Sequence, residues 1–211
     1  MDYKPQYKYI PPFELHALTR FYDFILILGG FGKKFREKIV NSVEIKDSNK
    51  VLDVGCATGV FLQLLKRKYP KACVVGIDPD KQSLGIARRR LNKFSHVELI
   101  EGFGEALPFE KESFDIVFST LVFHHMSTDI KQKCITEIYR ILKKGGKLVI
   151  VDFGSTKHLW FYKYVTFWEP FEHVKGNLQG LIPEFMKQAG FKNIQEDSIK
   201  FPVIHKLIGE K

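Results

Sequence analysis

Little in this chain could staple, anchor or segment a protein. Cysteine is scarce, three in 211 residues, and Cys56, Cys73 and Cys134 show no paired metal spacing. That argues against structural zinc and suits a reducing, cytoplasmic compartment. Long apolar runs are missing too. The run Phe24–Leu28 is far short of the ~20 residues a membrane span requires, and Met1–Pro12 is polar and proline-containing, unlike a secretory leader. No Pro/Ser/Gly linker, internal repeat or low-complexity tract divides the sequence. The length therefore predicts one structural unit able to bury a sizeable core, with an N-terminal helical cap over 1–45 and the main domain over 46–211.

What is present is a strand running into a glycine-rich turn that opens a helix: Val51-Leu-Asp-Val-Gly-Cys-Ala-Thr-Gly-Val-Phe61. Val51, Leu52 and Val54 are strand formers, and Gly55 and Gly59 let the backbone turn tightly against a ligand. Val60, Phe61, Leu62, Leu64 and Leu65 supply the apolar face of a helix that Pro70 closes. Asp53, at the strand end, turns a carboxylate toward the crevice and favours a positively charged ligand. The Lys and Ser/Thr of a phosphate-binding P-loop are lacking, and G-x-G-x-x-G is matched only as G-x-A-x-G. The plainer alternative is a glycine-tolerant turn in any parallel α/β domain. A second apolar strand, Ala72-Cys-Val-Val-Gly-Ile-Asp78, also ends in an acid. At this place in a βαβ unit an acid accepts hydrogen bonds from ribose hydroxyls. Asp78 could instead cap the following helix, although Asp80 is better placed for that.

These two segments resemble motif I and its successor in the class I S-adenosylmethionine-dependent methyltransferases. Two later segments agree: Glu101-Gly-Phe-Gly-Glu-Ala-Leu-Pro-Phe109 with Ser113–Ser119, like the family's adenine-side loop and fourth strand, and Glu137–Ile150, like its helix, turn and fifth strand. The likeness spans roughly residues 20 to 200. It is nearest the UbiE-like (methyltransferase type 11) small-molecule branch, whose N-terminal helix carries a start like Phe21-Tyr-Asp23.

The resemblance implies a doubly wound, mostly parallel, seven-stranded α/β sheet with helices on both faces and an antiparallel C-terminal hairpin at its edge. The pattern places helices over about Glu14–Leu28 and Gly32–Val43. Strands are expected near Lys50–Val54, Cys73–Asp78, Val97–Glu101, Phe114–Ser119 and Lys147–Asp152. A helix over Thr128–Lys143 carries Ile130, Cys134, Ile135, Ile138 and Leu142 as its core stripe, with Gly145 as its stop. The tail from Leu181 to Leu207 reads as a helix and two strands.

For the cofactor, S-adenosyl-L-methionine with S-adenosyl-L-homocysteine as product, the resemblance implies a methionine end shaped by Asp53, Gly55, Cys56, Ala57 and Gly59. Asp78 and Pro79 would hold the ribose, while Gly102, Phe103, Gly104 and Glu105 flank the adenine. Ser119, Thr120 and Leu121 would lie beside the sulfonium, and Tyr22 would cap the cofactor. Two positions depart from the family. Ala57 replaces a glycine, which is compatible with a negative local φ. Phe103 stands where many relatives place an acid.

On the acceptor side, His124 and His125 leave the fourth strand at the site mouth, and an imidazole that titrates near ~6.5 suits a general base. His125 is preferred, and Asp152 is a further candidate. Each has a structural alternative: packing or capping for the histidines, amide bonding for the carboxylate. His173 is a third possible base. The aromatic stretch Leu159–Trp168 could line a lid for a flat apolar acceptor or simply fill core. With 33 Lys and Arg against 24 Asp and Glu, the net charge is +9. Lys66–Lys68 and Arg88–Arg90 are read as solvated helix faces that could also attract RNA, an anionic substrate or an anionic membrane. The expected activity is methylation of a small apolar acceptor, a quinone precursor or lipid, at carbon or oxygen, without a metal. An RNA or protein methylase and a non-catalytic cofactor binder are the alternatives.

Overall fold

The computed structural model describes residues 30–155, 173–200 and 203–211. The expected helix over 14–28, Tyr22 and the aromatic stretch Leu159–Trp168 lie outside the described residues. In chain order the described elements are α1 (Lys33–Val40), β1 (Lys50–Val54), α2 (Val60–Lys68), β2 (Cys73–Asp78), α3 (Lys81–Leu91) and β3 (Val97–Glu101). There follow β4 (Phe114–Thr120), a single 3-10 turn (Phe123–His125), α4 (Thr128–Ile141), β5 (Leu142–Phe153), α5 (Val174–Leu178), α6 (Leu181–Ala189), β6 (Lys192–Lys200) and β7 (Ile204–Glu210).

The strands form one seven-stranded sheet in the order β3-β2-β1-β4-β5-β7-β6. The first five are parallel, and β7 pairs antiparallel with both β5 and β6. Strand alternation explains the two layers of helices. Successive side chains point to opposite faces of a strand, and both faces here are apolar. Val51, Val74, Ile116, Phe118 and Val149 pack with Phe35, Ile39, Phe61, Leu65 and Leu84 on one face. Leu52, Val75, Val117, Leu148 and Ile150 pack with Ile135, Ile138 and Met186 on the other. Burial on both faces is what near-continuous apolar parallel strands require. The edge strand β6 is mostly exposed and carries Lys192, Glu196, Asp197 and Lys200, charges that discourage pairing with another chain.

Three local expectations change. Helix α1 ends at Val40 rather than Val43, with Asn41 as its C-cap. Helix α4 ends at Ile141 and passes straight into β5 at Leu142, five residues earlier than the strand was expected. The Gly145–Gly146 pair is absorbed in the strand at a register shift between Phe114 and Ile116 of β4. A side chain at Gly146 would lie 2.8 Å from the Lys143 carbonyl oxygen and 3.0 Å from that of Asp115. The basic runs are also not simply solvated. Lys66 is buried, its Nζ donating to the carbonyls of Pro70 and Ala72, both at 2.7 Å. Arg90 reaches back to the Thr58 carbonyl at 2.5 Å and its hydroxyl at 2.8 Å, tying α3 to the glycine turn.

Candidate active site

The strand order reverses between β1 and β4, because β2 and β3 lie to one side and β5 to the other. A crevice opens at the carboxyl ends of the strands at such a switch point. A cavity of about 310 Å³ lies there.

Its floor is the turn after β1. The amides of Gly55 and Cys56 donate to the Ile77 carbonyl at 2.8 and 3.2 Å, which holds the turn against the end of β2. Gly55 has φ +78°, and a Cβ there would meet Val122 Cγ2 at 2.3 Å, so the position admits glycine alone. Gly59, at φ +75°, caps α2 and presses on Ala87. Ala57 does not adopt the negative φ with which the substitution was compatible: its φ is +45°. The strained alanine is held by its amide, which donates to Asp78 Oδ2 at 2.8 Å.

Two buried acids face this turn. Asp53 is 2% exposed. Burial, and then the charge of Asp78, push its carboxyl up to about 8, against the opposing charge of Arg36. Burial also raises Asp78 to about 6, despite the amides of Asp80 and Ala57 donating to its two oxygens. Asp80 is the helix cap, accepting from the Gln82 amide and the Ser83 hydroxyl. The Cys56 thiol is driven upward by burial and by both acids, so it stays protonated and unreactive.

Of the residues singled out from the sequence, Asp53, Gly55, Cys56, Ala57, Asp78, Pro79, Gly102, Phe103, Gly104, Glu105, Thr120, Leu121 and His125 all line the cavity. Gly59, Ser119, His124 and Asp152 are not among its lining residues. Ser119 spends its hydroxyl on the Val54 carbonyl at 3.0 Å, joining the ends of β4 and β1. The Thr120 hydroxyl is buried with no hydrogen-bond partner among the described residues. Leu121, at φ +58°, is a second strained residue on the wall.

The acceptor side is organised by Asp152, which is 1% exposed. Its Oδ2 accepts from the Val122 amide at 2.9 Å and more weakly from that of His124 at 3.4 Å. Its Oδ1 takes His124 Nδ1 at 2.9 Å, the Phe153 amide at 2.8 Å and Asn177 Nδ2 at 3.2 Å. Burial alone would raise this carboxyl. The His124 ring, by charge and hydrogen bond, and the Phe153 amide carry it below its ordinary value. Asp152 thus bonds backbone amides, as its structural alternative had it, and fixes the turn that presents His125. The His125 ring stacks obliquely on that of His124, with centroids 4.0 Å apart. Surrounding protein, then the His124 ring, lower His125 to about 3, against the opposing charge of Asp152. His173 also lines the cavity, and its carbonyl accepts from the buried Lys131. Among the described residues no group of His, Cys, Asp and Glu could hold a metal, and no helix is long and apolar enough to cross a membrane.

A family model described as a methyltransferase domain matches residues 51–146. A demethylmenaquinone methyltransferase of Thermotoga maritima is 32% identical over 169 residues, covering 74% of this chain and 72% of that protein. The chain belongs to the class I S-adenosylmethionine-dependent methyltransferases, in the UbiE-like branch. A UbiE ubiquinone/menaquinone C-methyltransferase of Geobacter sulfurreducens is 27% identical over 187 residues, covering 86% of this chain and 70% of the relative. A phosphoethanolamine N-methyltransferase 2 of Haemonchus contortus, solved with S-adenosyl-L-methionine, shares the fold with a TM-score of 0.77 at 20% identity. The match covers 95% of this chain, which spans 58% of that larger one.

The cavity of this methyltransferase suits its cofactor. Two buried acids have the chemistry to answer an ammonium and a ribose diol, Phe103 could offer an aromatic face to adenine, and the buried Thr120 hydroxyl has no partner among the described residues. Sequence reasoning passed over the third wall. Phe31, Phe35 and Arg36, from α1 and its approach, line the same cavity as the glycine turn. Their signal is no motif, only aromatics interleaved with bases along one short helix.

Proposed function

We propose that this enzyme methylates a small, apolar, quinone-precursor-like acceptor at carbon or oxygen. The observation that carries the reading is the rest of the cavity wall. Beyond Asp53, Asp78 and Glu105 it presents Phe31, Phe35, Leu121, Val122 and Met126 as an apolar surface, with Arg36, Thr58, Thr120, Ser127, His125 and His173 as its polar groups. Such a wall favours a flat apolar molecule fixed by one or two hydrogen bonds. The names of the relatives, demethylmenaquinone methyltransferase and UbiE C-methyltransferase, point the same way.

When bound, S-adenosylmethionine supplies a methyl on a sulfonium that a nucleophile displaces in line. The protein contributes alignment and exclusion of water. Asp53 and the amides of the glycine turn orient the amino-acid end, and Asp78 the ribose. His125 stays neutral at pH 7 and accepts a hydrogen bond from an acceptor hydroxyl. Its lowered basicity suits an acceptor that ionises readily by itself, such as a hydroquinone or phenol. Asp152 and His124 act by holding that turn in place. The groove between α1 and α2, where Lys33, Arg36, Arg67 and Lys68 outnumber Glu37, would bring the enzyme against an anionic membrane surface where such acceptors reside.

The test is transfer of labelled methyl from the cofactor to a demethylated naphthohydroquinone, presented with and without anionic vesicles, followed by solvent partition. Label in the organic phase, increased by the vesicles, is the expected result. Label found only in nuclease- or protease-sensitive material from cell extract would overturn the acceptor class.

A further inference from the structure

Lys131, near the start of α4, is a fully buried charge that methyl transfer does not itself call for. A buried ammonium is unfavourable unless a partner answers it, and an apolar side chain would fill the same space without that cost. Burial lowers this one to about 8, against the opposing charge of Asp152. Among the described residues its Nζ donates one hydrogen bond, to the carbonyl of His173.

His173 immediately precedes α5 and lines the cavity. Its ring is close enough to act on His125 by charge. A helix of five residues needs tertiary anchors to persist, and α5 has one at each end. At the His173 end the anchor is the Lys131 ammonium on α4. At the other, buried Asn177 donates through Nδ2 to Asp152 Oδ1 on β5, at 3.2 Å. Gly176, between them, packs on the lysine: a Cβ there would lie 3.5 Å from Lys131 Nζ and from Thr128 Oγ1. Two buried side chains of opposite charge therefore hold one short helix, and the same Asp152 holds the turn that presents His125.

We propose that Lys131 is a positioning residue for the acceptor: through the His173 carbonyl it fixes the start of α5, so that the His173 imidazole stands in the cavity wall to hydrogen-bond the acceptor. The inference rests on the acceptor reading above and deepens it. His125 and His173 become two polar contacts held by separate buried charges, Asp152 and Lys131.

The experiment compares Lys131→Met, which keeps the length and loses the donor, with His173→Ala, which loses the ring and keeps the carbonyl, and with the double variant. With a demethylated naphthohydroquinone as methyl acceptor, either substitution should raise the acceptor KM about ten-fold, the size of one charge-assisted or side-chain hydrogen bond. Both kcat and S-adenosylhomocysteine affinity should stay within about two-fold, since the lost contact is one of acceptor binding. The double variant should be no worse than the worse single one, because both substitutions remove the same contact. In the ligand-free protein, hydrogen exchange at the amides of Asn177, Leu178 and Gln179 should quicken about ten- to a hundred-fold in Lys131→Met. It should stay near the wild-type rate in His173→Ala, and in both variants at Cys134, Ile135 and Ile138 of α4. An unchanged KM in His173→Ala would overturn the proposal even if Lys131→Met failed to fold. Additive losses in the double variant, or unchanged exchange of α5 in Lys131→Met, would overturn it as well. A wild-type enzyme that transfers no methyl to the naphthohydroquinone, with exchange responding as stated, would overturn the acceptor reading and leave the Lys131 anchor supported.

Discussion

Cofactor binding should expel a proton from Asp53. In the ligand-free protein this carboxyl is raised to about 8 by burial and by Asp78. At pH 7 it is therefore roughly nine-tenths protonated. A protonated acid cannot pair with the cofactor's ammonium, so binding must ionise it first. Between pH 6 and pH 8 the affinity for S-adenosylhomocysteine should rise about fifty-fold, and close to one proton should leave per ligand at pH 7. Asp78, at about 6, is itself half protonated at the acid end of this window, so the rise above pH 7 is the part that belongs to Asp53. Titration calorimetry in two buffers of contrasting ionisation enthalpy reads the proton count directly. Asp53→Asn should release none and bind far more weakly at every pH. Flat affinity across this window, with proton release near zero, would refute the assignment of Asp53 to the ammonium.

The same shift carries a sign for stability. The folded value lies above the unfolded one, so the folded protein holds a proton that the unfolded chain gives up. The contribution is fully present below pH ~4 and is lost as pH climbs through about 8. The resulting penalty at pH 7 is of the order of 4 kcal/mol. Cofactor binding recovers part of it, and the cofactor's protection against thermal unfolding should accordingly be larger at pH 8 than at pH 6.

Three further outcomes are expected. Ala57→Gly should raise the melting temperature by relieving a left-handed alanine, a gain of about 0.5–1 kcal/mol; a lower melting temperature would show that the alanine methyl packs favourably. His125→Ala should lower kcat by about a hundred-fold while S-adenosylhomocysteine affinity changes little, whereas His124→Ala should act mainly on stability, by about 1–3 kcal/mol; the reverse split would exchange their roles. Asp152→Ala strands five donors at once and should cost about 3–5 kcal/mol, measured by denaturant unfolding; a cost below about 1 kcal/mol would show that water or a rearranged turn satisfies them.

The sheet was legible because each parallel strand is a short apolar run bounded by a turn, and because Asp53 and Asp78 close two of them at the same edge. The helix-to-strand junction at Leu142 was not. Ile138, Ile141 and Leu142 fit a helical stripe as well as a strand, and Gly145-Gly146 signals a stop more often than a bulge. Ser119 and Gly59 belong to the right segments but turn away from the cavity. Position along a motif does not say whether a side chain faces ligand or backbone, and Ser119 had a closer acceptor in the Val54 carbonyl. Asp152 and His124 are a similar case. Each is chemically able to move a proton, and only the five donors around the carboxylate reveal that its lone pairs are already committed.

The residues hardest to read were those of α1, and the reason is physical. A glycine turn must take one of few backbone conformations to approach a ligand, so its sequence is constrained at fixed offsets. A helix that lays one face on a cavity needs only an apolar stripe and a suitably placed charge, which many sequences supply. The run Phe31-Gly-Lys-Lys-Phe-Arg-Glu-Lys38 meets that need with Phe31 and Phe35 inward and Arg36 at the cavity edge. The cofactor's invariant chemistry is therefore written in the turn after β1. The cavity wall contributed by α1 and by the turn that Asp152 holds is built without a motif to mark it.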